Sequence, residues 1–306
     1  MNNLGKALED VSAQRIGNHI KCLEGIRHPL TAPAALKQAA DFIVGTLQKL
    51  GYSMSEHRFD YDDRQFTNVI ATRSGIRYPD KRVIVLAHFD TVSASPGADD
   101  NASGVAVLLE LATVLNTLRF ERTVHFIGVN LEENACDDDA GTGTRGSSAL
   151  ASFAREQAWD IEGVVVLESV AFAGDTVMQT APPGIPIKVP EIGDFIAVIG
   201  NEDSKGLVQG FGQAIDRYGI ALPHLSLVVP GNGELFPDTR RSDHAPFWDH
   251  GYPAIMVTDT TNFRSPHYHQ PSDTLETLNL SFAAEVCRAT GAALSQFAGH
   301  HFTAHP

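Results

Sequence analysis

The sequence has few cysteines and no long apolar run, and each scarcity excludes a class of protein. Its three cysteines, Cys22, Cys136 and Cys287, are far apart and odd in number, so they indicate neither a disulfide framework nor a thiolate zinc site. The longest apolar stretches, such as residues 83–87, are much shorter than the ~20 residues that span a bilayer. Because no basic segment followed by an apolar core opens the sequence, we expect no export signal and a cytoplasmic location.

Positive charge is also scarce. The sequence has 23 Lys and Arg against 37 Asp and Glu, which gives a formal net charge of −14. Such a chain repels phosphate backbones and anionic membrane surfaces, so we expect neither a nucleic-acid nor a membrane partner. A hydrophobic fraction of 43% with 20% charged residues is ordinary for a globular protein, which disfavours disorder and coiled coil.

The order of apolar patterns predicts the fold class. Buried strands are predicted near residues 67–72, 83–87, 123–129, 163–168, 195–199, 225–229 and 254–258. Helical periodicity is present before residue 51 and over 101–118, 146–157, 204–217 and 280–298. Strands that alternate with helices predict an α/β protein with a mostly parallel, mixed central sheet and helices on both faces. No linker divides the sequence, so we expect one domain over residues 1–306.

Two stretches interrupt this alternation. Residues 172–194 contain four prolines, and residues 230–243 contain Gly231, Gly233 and Pro237. Irregular segments of this length in an α/β domain are often loops over a binding site. We therefore expect both stretches to shape specificity.

Acids and imidazoles follow several of the predicted strands. They are His88, Asp90, Asp99, Asp100, Glu132, Glu133, Glu168, Tyr268 and His269. In a parallel sheet the pocket lies beyond the carboxyl ends of the strands, so these side chains are expected at one edge. Imidazoles and carboxylates together are the ligands of zinc or a related divalent cation.

The spacing within these motifs indicates different tasks for neighbouring residues. In His88-Phe89-Asp90 the first and third side chains point the same way, so Asp90 can orient the His88 ring. In Glu132-Glu133 neighbouring side chains point apart, so one carboxylate can hold metal while the other faces a bound water. That arrangement suits metal-assisted hydrolysis.

These motifs resemble those of the co-catalytic di-zinc aminopeptidases, a family related to the glutaminyl cyclases. The matching segments are 88–90, 97–104, 132–133, 145–147, 242–247 and 268–274, in the family's order. The resemblance extends from about Arg27 onward. It implies a zinc-exopeptidase fold and two divalent ions, most commonly Zn²⁺, as cofactors.

The resemblance also implies a role for each site residue. By it, His88 and Glu168 hold one metal, Glu133 and His269 hold the other, and Asp99 bridges them. Likewise, Glu132 is the general base, Asp90 orients His88, and Tyr268 is a donor to the developing oxyanion. Many members of the family have aspartate where this chain has Glu168.

Three points stay open in the sequence. Spacing alone cannot choose between His267 and His269, although the resemblance favours His269, and His244 is equally ambiguous. The acidic run 137–139 is interpreted as a solvated loop, with a calcium site or a preference for basic substrates as the alternative.

The leading hypothesis is a zinc-dependent aminopeptidase that removes the N-terminal residue from peptides with a free N-terminus through a two-metal-bound water. A glutaminyl-peptide cyclase with one zinc is the alternative within enzymes. A noncatalytic binding module of the same fold is the alternative outside them. Nothing in the sequence gives the preferred residue or the oligomeric state.

Overall fold

The computed structural model describes residues 3–133, 143–185 and 187–300. Within them, eight strands form one mixed sheet in the order β1-β2-β4-β3-β5-β8-β6-β7. The strands are β1 (Ser53–Tyr61), β2 (Arg64–Arg73), β3 (Tyr78–His88), β4 (Arg122–Val129), β5 (Asp160–Glu168), β6 (Ile196–Asn201), β7 (His224–Val229) and β8 (Ala254–Thr258).

The centre of the sheet is parallel and its flanks are mixed. Strand β3 pairs in parallel with β4 and β5, and β5 pairs in parallel with β8. Antiparallel pairs join β1 to β2, β2 to β4 and β6 to β8. Because β3, β4, β5 and β8 run in the same direction, their carboxyl ends meet at one edge.

Helices cover both faces of this sheet. They are α1 (Asn3–Glu9), α2 (Ala13–Leu23), α3 (Pro33–Lys49), α4 (Gly104–Val114), α5 (Arg145–Glu156), α6 (Lys205–Tyr218), α7 (His244–Asp249) and α8 (Leu280–Phe297). Several begin with recognisable caps. The Ser12 hydroxyl accepts a hydrogen bond from the Arg15 amide at the start of α2, and Asn279 does the same for Phe282 at α8.

The sheet separates two apolar cores. Alternate residues of β3 face opposite sides, so Val83 and Val85 pack in the larger core with α4 and α8. Ile84 and Leu86 pack in the smaller core with α5 and α7. Burial on both faces explains why the central strands are nearly continuous apolar runs.

The predicted fold class is confirmed, with two local differences. The helix predicted over residues 101–118 begins at Gly104, after an irregular turn at Ala98–Ser103. The edge strand β1 was not predicted, because SMSEHRFDY is largely polar and mostly exposed. Among the described residues, no helix is long and apolar enough to cross a membrane.

Candidate metal centre

The carboxyl ends of three central strands bring acids and imidazoles together. His88 is the last residue of β3, Glu168 is the last of β5, and Glu132 and Glu133 follow the end of β4 after two intervening residues. His269 reaches the same place from the segment after β8. The predicted edge of the sheet is therefore where these side chains lie.

One aspartate lies between the two imidazoles, and it is Asp100. Its Oδ1 is 3.3 Å from His88 Nε2, and its Oδ2 is 3.3 Å from His269 Nε2. The structure thus corrects the expectation that Asp99 bridges the site. The two residues are adjacent and chemically identical, so only the conformation of their turn distinguishes them.

Asp99 points away from the imidazoles. Its Oδ1 accepts a hydrogen bond from the Ala171 amide at 3.0 Å. The Asp273 carboxylate accepts the amide hydrogens of both Asp99 and Asp100, at 2.8 and 3.2 Å, and so holds the turn. Asp100 and Asn101 have non-helical backbone angles within this turn, which directs the Asp100 carboxylate into the site.

Each imidazole has a further carboxylate of its own. Glu168 Oε1 is 3.5 Å from His88 Nε2, and Glu133 Oε1 is 3.2 Å from His269 Nε2. Glu132 Oε2 is farther away, at 3.9 Å from His88 Nε2. Two three-residue groups therefore share Asp100, one with His88 and Glu168 and one with Glu133 and His269, and a third group joins His88 with Glu132 and Glu133.

Asp90 connects two of the segments that carry this cluster. Its Oδ1 is 3.5 Å from His88 Nδ1, on the side of the ring opposite the other acids. Both of its oxygens accept backbone hydrogen bonds at 3.1 Å, from the amides of Glu132 and Glu133. Asp90 is therefore placed to orient the His88 ring and the glutamate pair together.

The donor set fits divalent metal. His88 Nε2, His269 Nε2 and Glu133 Oε1 are buried and have no hydrogen-bond partner. Buried polar atoms are nearly always paired, so these three are available to bind a cation. Two atoms that each lie about 2.1 Å from a tetrahedral Zn²⁺ are about 3.4 Å apart, which matches the nitrogen-to-oxygen separations given above.

Burial and neighbouring charges shift the pKa values of several groups in the cluster. Burial would lower the pKa of His269, but Asp100 and Glu133 raise it to about 10. Burial raises the pKa of Glu133 to about 7, with a further rise caused by Asp100. Burial also raises the pKa of Glu132 well above its usual range. So many acids at one place require compensating positive charge.

The remaining candidate histidines lie outside the cluster. His267 Nδ1 is 2.9 Å from the Ser272 hydroxyl. His244 is buried on α7, where Nε2 is 2.7 Å from the Thr239 carbonyl oxygen. The structure therefore places His269 at the site and neither of the other two. The acidic run 137–139 lies outside the described residues.

Tyr268 lies beside the cluster with its ring stacked on that of His269. The ring centroids are 3.8 Å apart and the planes differ by 18°. Its hydroxyl oxygen accepts a hydrogen bond from Arg241 Nη2 at 3.1 Å. Burial raises the pKa of Tyr268 above its usual range, so the phenol stays protonated.

Three functional-site residues were not given roles from the sequence. Ser242 donates a hydrogen bond to Glu168 Oε2 at 2.6 Å. Asp243 is completely buried, and burial raises its pKa to about 7. Arg241 contacts Tyr268. All three lie at the end of the predicted loop 230–243, and Ser242 and Asp243 also belong to the matching segment 242–247, so both features were available as signals.

A pocket opens from the cluster across the sheet. Its sheet-side wall consists of Ala197, Ile199, Leu225, Leu227, Met256 and Thr258. Both predicted specificity loops contribute to it, through Gln179, Ile185, Ile187 and Val189 from the first and Asp238, Thr239 and Arg241 from the second. Thr258 on β8 pairs with Glu168 on β5 and with Ala197 on β6. The pocket wall therefore continues across neighbouring strands from the metal-cluster residue Glu168.

A sequence profile identifies the class of protein to which this fold and site belong. The profile of Peptidase family M28 matches residues 68–294, and the chain belongs to that family. The chain is 28% identical to the uncharacterized protein YfbL of Escherichia coli (strain K12) over 300 residues, which are 94% of this chain and 88% of that protein. It is 25% identical to leucine aminopeptidase 1 of Metarhizium robertsii (strain ARSEF 23) over 242 residues, 77% of this chain and 56% of that one.

Solved structures show the same fold at low sequence identity. The zinc aminopeptidase BSAP from Bacillus subtilis has a TM-score of 0.72 and 15% identity, with 97% of each chain covered. A glutaminyl cyclase from Porphyromonas gingivalis has a TM-score of 0.72 and 19% identity, over 94% of this chain and 98% of that one. The fold is therefore common to aminopeptidases and glutaminyl cyclases, and its presence alone does not distinguish them.

Proposed function

We propose that this chain is a metal-dependent exopeptidase that hydrolyses the N-terminal residue from peptides, with two Zn²⁺ ions as cofactors. The observation that best supports this proposal is the position of Asp100 between the imidazoles of His88 and His269. Each imidazole also has a carboxylate of its own nearby. His88, Glu168 and Asp100 would hold one ion, and Glu133, His269 and Asp100 the other. Bound there, the ions would polarise the scissile carbonyl and lower the pKa of a water molecule.

Glu132 is the general base in this proposal. Its carboxylate lines the pocket beside the cluster and is the farthest of the acids from the imidazoles. It can accept a proton from water at Oε2 and return that proton to the leaving amine. Asp90 keeps both His88 and the Glu132 backbone in place for this step.

Removal of a single terminal residue requires recognition of the substrate's α-ammonium group. The acids that line the pocket next to the cluster, Glu168 among them, supply the negative charge for this. A blocked amine lacks the positive charge and cannot form this ion pair. This supports an exopeptidase rather than an endopeptidase.

The pocket wall supports an apolar terminal side chain. Leu225, Leu227 and Met256 present only aliphatic atoms and thioether sulfur to the pocket. Ala197 pairs with Thr258 on one neighbouring strand and with Leu225 on the other. Because its side chain is small, it leaves space in the pocket next to the metal cluster. A charged side chain packed against this aliphatic wall would lose its hydration without gaining a partner from Leu225, Leu227 or Met256.

The decisive experiment combines metal analysis with a blocked substrate. We expect the purified protein to contain two equivalents of zinc and to hydrolyse leucine amide but not N-acetyl-leucine amide. Equal cleavage of both amides would refute the exopeptidase assignment. Hydrolysis that survives complete removal of metal would refute the metal dependence.

A glutaminyl cyclase is the second candidate, because the chain matches the Porphyromonas gingivalis enzyme over almost its whole length. Two observations favour hydrolysis instead. His269 has its own carboxylate in Glu133, and Asp100 lies equally close to both imidazoles. Formation of a cyclised product from a glutaminyl peptide, with one zinc per chain, would support the cyclase.

A further inference from the structure

Arg241 and Tyr268 form a pair at the rim of the pocket. Arg241 Nη2 donates a hydrogen bond to Tyr268 Oη at 3.1 Å, and the guanidinium carbon is 5.9 Å from the centroid of the tyrosine ring. Both residues line the pocket together with Glu132 and Glu133. The Tyr268 ring also stacks on that of His269, so the pair adjoins the cluster.

The other terminal nitrogen of the Arg241 guanidinium, Nη1, also has partners. Arg241 Nη1 donates to Asn262 Oδ1 at 3.1 Å, and Asp238 Oδ1 lies 3.5 Å away. The next residue, Ser242, donates to Glu168 and so ties this segment to the cluster. The side chain of Arg241 is 43% exposed, but these contacts define its direction.

The hydrogen-bond inventory of Tyr268 leaves its proton available. A phenol oxygen can accept a hydrogen bond and donate its own hydrogen at the same time. Here Arg241 occupies an acceptor position. Within residues 3–133, 143–185 and 187–300, no group accepts a hydrogen bond from Tyr268 Oη. The hydrogen is free for a substrate oxygen.

We infer that Arg241 is a positioning residue, which fixes Tyr268 Oη so that its hydrogen is donated to the carbonyl oxygen of the scissile bond. This rests on the proposed function in taking Tyr268 as the donor to that oxygen. The proton stays on the phenol, and Tyr268 supplies a hydrogen bond as negative charge develops on the carbonyl oxygen. Arg241 itself does not touch the substrate.

The alternative is that Arg241 binds the substrate directly, and a double-mutant cycle distinguishes the two roles. We would measure kcat and KM for leucine amide with wild type, R241M, Y268F and the double variant. We expect Y268F to lower kcat about 100-fold and R241M to lower it about tenfold. Because Arg241 acts through Tyr268, the double variant should be no slower than Y268F.

Two further single variants serve as controls for the cycle. R241K keeps one donor and a charge, so it should retain more activity than R241M. R240M is the matched control, because Arg240 pairs with Asp249 at 2.7 Å instead of with Tyr268, and it should leave kcat unchanged. Multiplicative losses in the double variant, or an R241M enzyme as fast as wild type, would overturn the inference.

A crystallographic comparison tests the positioning without any assay. In crystals of R241M we expect the Tyr268 side chain to leave its wild-type position or to occupy several positions. An unmoved Tyr268 would overturn the inference. If wild type hydrolyses no aminoacyl amide, the proposed function fails, while these crystals still report whether Arg241 fixes Tyr268.

Discussion

Glu110 and Glu133 are both buried carboxylates, but their surroundings are opposite. Glu110, on α4, accepts hydrogen bonds from Arg15 Nε and Nη2 at 2.9 and 2.7 Å, and from the Ser12 amide at 2.7 Å. Glu133 Oε1 is buried without a hydrogen-bond partner and faces His269 Nε2. Each of the Glu110 oxygens thus has its donors, whereas Glu133 Oε1 has none among the described residues.

This difference separates a buried acid that stabilises the fold from buried acids that are available to bind a ligand. A buried acid with a full set of donors stabilises the fold, here by attaching α2 to α4. A group of buried acids and imidazoles without partners lowers stability unless something binds there. Three residues around the site, Leu131, Ser169 and His269, also have positive φ values, of 57°, 46° and 58°.

The largest expected effect comes from removing the general base. Glu132→Gln keeps the size of the side chain but cannot accept a proton, so turnover should fall by about 10³-fold. Zinc content should stay nearly unchanged, because the two ligand groups remain complete. Glu110→Gln is the control at the other buried acid and should leave turnover unchanged. Retained turnover in Glu132→Gln would contradict the role of Glu132.

The two adjacent aspartates should differ sharply in metal binding. Asp100→Asn removes the shared carboxylate, so zinc affinity should fall by more than about 100-fold. In Asp99, burial and the neighbouring Asp259 raise the pKa well above its usual range, and asparagine keeps a donor toward Asp259. Asp99→Asn should therefore bind zinc almost as well as wild type. Competition titration with a zinc chelator measures both, and a reversed order would refute the placement of Asp100.

At Glu110 we expect a substitution to lower the stability of the fold and to leave zinc binding unchanged. Glu110→Ala leaves Arg15 and the Ser12 amide without their acceptor, and since Arg15 is 39% exposed we expect a loss of about 2 kcal/mol in the free energy of unfolding. Urea denaturation measures this loss. Zinc content should not change. A variant with normal stability that loses zinc would contradict the separation of the two regions.

The smallest expected effect is a change in substrate selectivity when the pocket is filled. Ala197→Phe fills the space beside Thr258, so hydrolysis of leucine amide should fall about tenfold relative to alanine amide. Ser226→Phe is the control, because Ser226 alternates with the pocket residues of β7 and is exposed. The ratio of kcat/KM for the two amides is the measurement. An unchanged ratio in Ala197→Phe would exclude this pocket as the site of the terminal side chain.

Much of the fold could be predicted from the sequence, because buried parallel strands are continuous apolar runs. The runs at 83–87, 123–129, 163–168 and 254–258 correspond to β3, β4, β5 and β8. Their ends also indicated His88, Glu132 and Glu168, since position after a buried strand determines which edge a side chain reaches. Strand β1 could not be recognised in this way, because its pattern is mostly polar.

The choice between Asp99 and Asp100 could not be predicted. It depends on the irregular turn at Ala98–Ser103, which is held by Asp273, more than 170 residues farther along the chain. A contact at that separation leaves no local pattern. The pairing of Arg241 with Tyr268 was hidden for the same reason, since the two residues meet only in the folded chain.

Anomalous X-ray diffraction at the zinc edge, on crystals grown with Zn²⁺, locates the metal ions at this site. We expect two peaks, one among His88, Asp100 and Glu168 and the other among Asp100, Glu133 and His269. A single peak in this cluster, or peaks only elsewhere, would contradict the two-metal site.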